Sequence, residues 1–212
     1  MSKRLRIAVL ASGRGSNLAA IIAACANGTV DAEVVGVFSD KSGSGALVTA
    51  AAAGIPHHVL NARDFPSRLA FDTALFAAID EAAPDLIVCA GFMRILSAEL
   101  VAPRSQRLIN IHPSLLPKYT GLHTHQRALD AGDAEHGASV HFVIAALDAG
   151  PVIAQTRIRI EAGDSAETLA TRLLPAEHRL LIETIARFGR HRISHRDQRL
   201  CVDGIEQPAW QM

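Results

Sequence analysis

Short, mainly apolar runs alternate with segments whose apolar positions recur every three or four residues, and this rhythm holds through the first half of the chain. The runs are LRIAVLA from Leu5, AEVVGVFS from Ala32, HHVL from His57, DLIVCAG from Asp85 and RLINI from Arg107. Between them lie Leu18, Ile21, Ile22 and Cys25 at helical spacing, an alanine-rich stretch near 44–53 and a helical pattern near 67–82. Strands apolar on both faces and separated by helices belong to a parallel sheet covered on both sides. The pattern therefore predicts a doubly wound, mostly parallel α/β fold. After Pro113 the texture changes. ASVHFVI and PVIAQTRIRI predict longer, partly alternating strands joined by a turn at Asp148–Pro151, and a long helix follows from about Ser165 to Gly189. The tail, RISHRDQRLCVDGIEQPAW, carries an Asp203-Gly204 hairpin signal and is expected to form an antiparallel edge ribbon. No repeat or linker interrupts the chain, so one domain is expected over 1–212. Its parts are a parallel half (1–112), a second half (113–190) and a tail ribbon (191–212).

Composition narrows the function classes. The chain has 212 residues, 49% hydrophobic, which is enough for one full core. Its 21 Lys and Arg balance 21 Asp and Glu, so no overall basic field draws it to nucleic acid or to an anionic membrane. Any anion must be held locally. Three widely spaced cysteines, Cys25, Cys89 and Cys201, form no CxxC pair, which fits a reducing cytoplasm better than a disulfide framework. The first apolar run is too short for a signal core or a membrane span, so a soluble, unexported protein is expected.

Two stretches carry candidate chemistry. VLASGRGSNLAAII reads as a strand, a Gly-Arg-Gly-Ser-Asn turn and a helix start, where free backbone N–H groups and the helix dipole form an anion site. Ordinary turn residues would look the same, with Ser16 or Asn17 as the helix cap. A dinucleotide fingerprint would need glycine where this chain has Leu18, although Asp40 stands where a ribose-binding carboxylate would, so a single phosphate monoester is the better reading.

The second stretch is NIHPSLLPKYTG from Asn110. Residues two apart in a strand share a side, so Asn110 and His112 present an amide and an imidazole to one place, at the strand end where open α/β sheets bind ligands. Histidine can exchange a proton near neutrality and asparagine can donate to a developing oxyanion. A satisfied, structural pair remains the alternative, and the reading leaves His112 exposed. Asp148, in the later turn, could orient the imidazole or simply bond its own backbone. His112, His123, His125 and His141 invite a zinc reading, but His123 and His125 fall at a helix start where they diverge, and no HExxH or cysteine accompanies them. No metal is expected.

Taken together, VLASGRGSNLAAII, AGFMRILS, NIHPSLLPKYTGLHTHQRALDAG and HGASVHFV…LDAGPVIAQ resemble the phosphoribosylglycinamide formyltransferases, folate-dependent enzymes of purine synthesis, over nearly all of the first 190 residues. The resemblance implies a Rossmann-like formyltransferase fold. It implies catalytic roles for Asn110, His112 and Asp148, and a ribotide phosphate on Gly15, Ser16 and Asn17 with Arg68 as a second contact. Glu177 would lie near that substrate. Met93, Arg94, Ile95 and Leu96, with Ile144, Ala145, Ala146 and Leu147, would form the folate cleft, and His141 would support the site. The implied reaction moves a formyl group from 10-formyltetrahydrofolate, a co-substrate, to the amine of 5'-phosphoribosylglycinamide, through a tetrahedral oxyanion and without metal. The implied partners are these two small molecules, with no nucleic acid or membrane, on a monomer or homodimer. Pro113 and Pro117 would stiffen the loop after the catalytic strand. The tail is only loosely family-like and Arg14 is a variable position. Formyltetrahydrofolate hydrolases share the catalytic core and are the alternative, set aside because they usually carry an N-terminal regulatory domain. Methionyl-tRNA formyltransferases would need a basic RNA-binding domain, and a non-catalytic nucleotide-binding module would leave Asn110 and His112 structural.

Overall fold

The strands β1 (Leu5–Leu10), β2 (Ala32–Ser39), β3 (His57–Val59), β4 (Leu86–Cys89) and β5 (Leu108–His112) run parallel in the computed structural model, which describes residues 3–212. They are connected through the helices α1 (Ser16–Ala26), α2 (Gly45–Ala52), α3 (Arg68–Glu81) and the short α4 (Ala98–Val101). β1 is flanked by both β2 and β4, so the order of connection reverses there. That reversal opens a crevice at the strands' carboxyl ends. Period-two alternation explains how β1 serves both faces. Ile7 and Val9 pack in one cluster with Leu18, Ile21 and Leu180, whereas Ala8 and Leu10 pack in the other with Phe71, Leu75 and Phe76. Each large side chain so buried contributes about 1.5–3 kcal/mol.

The change of texture after Pro113 marks a change of pairing. α5 (Thr124–Asp130) leads into β6 (Glu135–Phe142), antiparallel to β5, and β7 (Val152–Arg159), antiparallel to β6. The long helix α6 (Ala166–Phe188) starts where Ser165 accepts a bond from the Thr168 N–H and Thr168 bonds back to the Ser165 N–H, and it ends at Gly189. The tail departs from the expected ribbon. β8 (Ile193–Arg196), β9 (Arg199–Val202) and β10 (Ile205–Gln207) form a separate three-stranded antiparallel sheet. It reverses at Asp203 and Gly204, both with positive φ (52° and 85°), as a type I′ hairpin requires. Only β11 (Trp210–Gln211) reaches the edge of the main sheet, beside β7. β3 is another departure, a three-residue exposed edge.

Candidate active site

The glycine loop is shaped by what α2 allows. Gly15 has φ 82°, and a Cβ there would stand 2.7 Å from Ala46 Cα. A Cβ on Gly45 would meet the Arg14 carbonyl oxygen at 2.6 Å, and the Ala46 N–H donates to the Gly13 carbonyl. The start of α2 thus presses directly on the loop, and only glycine fits. The helix cap differs from expectation. Gly15 itself is the N-cap of α1 and no side chain caps it, so Ser16 and Asn17 sit inside the first turn and its N–H groups stay available to an anion. Asn17 donates its amide to Glu177 of α6, leaving its own buried Oδ1 without a partner. Burial pushes the Glu177 carboxyl up to about 7, against the Asn17 bond. Arg68 is the first residue of α3, exposed and without a hydrogen bond or ion pair among the described residues. Asp40 faces Arg94 at 3.8 Å.

At the end of β5 the predicted trio comes together, with His141 as a fourth member. Asn110 is paired with His141 across the β5–β6 ladder, and its Nδ2 donates to His141 Nε2 at 3.1 Å. That direction follows from the other ring nitrogen, because Nδ1 lies 2.9 Å from the Phe142 carbonyl, which can only accept. The second amide N–H of Asn110 is left for the cleft, whose wall includes Asn110. His112 is 6% exposed, contrary to the exposed position expected, and its Nε2–H donates to the Tyr119 carbonyl at 2.9 Å. The opposite nitrogen, Nδ1, faces Asp148 Oδ2 at 3.5 Å. Asp148 Oδ1 is 3.6 Å from His141 Nε2, and its Oδ2 accepts from the Gly121 N–H at 2.8 Å. Burial lowers the His112 pKa below its usual value, outweighing the Tyr119 carbonyl and the Asp148 charge. Burial opposes ionisation of Asp148, yet the adjacent His141 ring, the Gly121 N–H and the His112 ring together hold it below the usual carboxylate range. At neutral pH the site therefore holds a neutral imidazole, its Nδ1 lone pair inward, beside a carboxylate.

A cleft opens from this cluster. Arg94, Ile95 and Leu96 form one wall and Ile144, Ala145, Ala146 and Leu147 the other. Met93 departs from expectation, since it is 62% exposed and outside the lining. Phe92 and Leu96 insert into the core and the Arg94 guanidinium lies 4.8 Å above the Phe71 ring, while Met93 and Ile95 are both exposed and of these two only Ile95 borders the cleft. Cys89, Phe92 and Val143 also line the cleft and were not foreseen, although Cys89 ends β4 beside the crevice, a position that could have flagged it. Tyr119 and Gly121 act through backbone groups, which leave no side-chain signal. The histidines of the zinc reading do not share one centre, since His112 and His141 flank Asp148 while His125 pairs with His136. His125 Nδ1 meets His136 Nε2 at 3.0 Å, and among the described residues no group of three or more His, Cys, Asp or Glu is arranged to hold a metal ion.

An anion-ready helix end, an Asn–His–Asp cluster at the carboxyl end of β5 and a largely apolar cleft define a group-transfer site on a doubly wound sheet. Residues 5–185 match the sequence profile of the formyl transferase family, and the chain belongs to that family. Over 204 residues it is 48% identical to phosphoribosylglycinamide formyltransferase of Escherichia coli strain K12, covering 96% of each protein. It is 40% identical over 178 residues to the human trifunctional purine biosynthetic protein adenosine-3, covering 84% of this chain and 18% of that protein. The solved structure of the Coxiella burnetii phosphoribosylglycinamide formyltransferase superposes with a TM-score of 0.94 at 44% identity, covering 99% of this chain and 100% of that one.

Proposed function

We propose that the protein transfers the formyl group of 10-formyltetrahydrofolate to the amino group of 5'-phosphoribosylglycinamide. The observation that carries the reading is the cluster of Asn110, His112, His141 and Asp148 at the carboxyl end of β5. It faces the apolar cleft and stands two strands from the anion-ready start of α1. The ribotide phosphate is held on Gly15, Ser16 and Asn17, with Arg68 as a second contact and Glu177 near that substrate. The folate lies between the segment 93–96 and the segment 144–147. As the amine attacks, a C–N bond forms and charge moves to the formyl oxygen, where the free N–H of Asn110 donates. His112 Nδ1 takes the proton that the amine releases, and the imidazolium is stabilised by Asp148. That proton passes to the folate N10 as the C–N10 bond breaks, so both atoms and charge balance. His141 keeps the Asn110 amide in orientation. The whole chain, 1–212, acts as one domain in this reading, because the strands carrying both substrates' sites belong to a single eight-stranded sheet. No helix among the described residues is long and apolar enough to cross a membrane, consistent with small soluble substrates as its partners.

The test is to incubate chelator-treated protein with 10-formyltetrahydrofolate, with and without the ribotide, and to follow loss of the formyl group. Holding two reactants in register lowers a barrier by about 7–11 kcal/mol in well-oriented cases, and water gains nothing from a phosphate anchor. Formyl loss is therefore expected only with the ribotide. An equal rate without it would make the protein a hydrolase.

A further inference from the structure

The segment that walls the cleft is fixed at its two ends by different parts of the molecule. At its start the Met93 N–H donates to Ser12 Oγ at 3.2 Å, beside the glycine loop. At its end Ser97 donates both its N–H (2.7 Å) and its hydroxyl (2.6 Å) to one oxygen, Oδ2, of Asp72 in α3. Asp72 is wholly buried and its other oxygen has no partner. A buried carboxyl is costly unless it is bonded, so a position that needed only packing would carry an apolar residue, as the neighbouring buried positions Phe71, Leu75 and Phe76 do. Ser97 is equally committed. It is the N-cap of α4, where its hydroxyl would ordinarily accept from the helix, yet it makes no cap bond and spends the hydroxyl on Asp72. One residue earlier in α3, Phe71 carries the Arg94 guanidinium on its ring. The two adjacent residues thus hold the segment at 94 and at 97, and Ile95 and Leu96 between them form its cleft wall.

We propose that Asp72 is a positioning residue for the folate co-substrate, setting the cleft wall by anchoring Ser97 without touching the ligand itself. The proposal rests on the function above. It makes folate affinity, and not ribotide affinity, the quantity that Asp72 controls, since Asp72 holds the far end of the segment at Ser97 while the glycine loop is braced by α2.

Calorimetric titration of the full chain with tetrahydrofolate, and separately with the ribotide, tests this on Ser97→Ala, Asp72→Ala and Asp72→Asn. Losing one hydrogen bond in Ser97→Ala should weaken tetrahydrofolate binding by about 3-fold, and stranding both donors in Asp72→Ala by about 10–30-fold. Asp72→Asn keeps an acceptor of the same shape and should recover most of that loss, with the ribotide Kd within about twofold throughout. A merely structural role would lower thermal stability and leave the tetrahydrofolate Kd alone, or weaken both ligands together, and either result overturns the inference. If Asp72→Ala does not fold, an unchanged tetrahydrofolate Kd in Ser97→Ala overturns it equally. Wild-type protein that bound no tetrahydrofolate would overturn the function, and this inference with it.

Discussion

The two halves of the site recognise their ligands by different physical means. Around β1 and α1 the working groups are backbone N–H groups, fixed by contacts so close that glycine is required at 15 and 45. Around β5 and β6 they are side chains, three of them titratable, held by hydrogen bonds to one another and to backbone groups. The N–H groups of the first half have no proton to exchange, and the second half's protonation states depend on burial. A phosphate needs a fixed dipole, whereas a tetrahedral intermediate needs proton movement, and each half is built for one of these tasks.

The sharpest way to break this division is at His112. His112→Ala removes the group that takes the amine's proton, and kcat should fall by about 10²–10⁴-fold, the usual worth of general acid–base catalysis, with the ribotide KM little changed. Because His112 is buried and bonded to Tyr119, some stability will be lost as well, so circular dichroism must show a folded mutant. Turnover near wild type in that folded protein would mean that proton transfer runs elsewhere.

The other half should respond in KM. Gly15→Ala forces an L side chain to φ 82° and drives its Cβ against Ala46, so the loop must move. The ribotide KM is expected to rise about 10-fold or more, while tetrahydrofolate affinity and the rate at saturating ribotide stay close to wild type. Gly13→Ala is the control, because nothing lies within 4 Å of a Cβ there and its φ is not in the left-handed region. If both substitutions raised the KM equally, tight packing would not be what shapes the loop.

The fold was largely legible because its signals are local. The parallel strands are continuous apolar runs, and the α3 and α6 spans follow from periodicity and from caps at Ser67, Ser165 and Gly189. Asn110, His112 and Asp148 could be nominated because strand alternation and turn position constrain them. The rest depends on long-range pairing. Nothing local says that the Tyr119 carbonyl fixes the His112 tautomer, or that Asp72 reaches Ser97 across 25 residues. The tail escaped for a related reason. Its hairpin signal was correct, but whether a ribbon adds to the main sheet or pairs with itself is decided by contacts such as Gln106 bonding both the N–H and the carbonyl of His195.

Glu177 is where a titratable side chain intrudes on the half that otherwise has none, and pH should expose it. Its carboxyl ionises at about 7 in the folded protein against 4.5 in the unfolded chain, so the folded state holds an extra proton between those values. The group costs nothing below pH 4.5 and becomes progressively destabilising as pH rises through 7. His136, lowered to about 4 by burial and by His125, works in the opposite sense, because the unfolded chain takes up a proton below 6.5 that the folded state refuses. His112 and His125 are lowered likewise, so the wild type loses stability on the acid side through its histidines and on the alkaline side through Glu177. Glu177→Gln keeps the shape and an acceptor for Asn17 while removing the charge. Its melting temperature should exceed that of the wild type by about 5 °C at pH 8 and match it at pH 4, given that 1 kcal/mol is worth roughly 2–4 °C in a chain of this size. A gain of the same size at both pH values would mean that the substitution improves packing and that Glu177 is not strained by its charge.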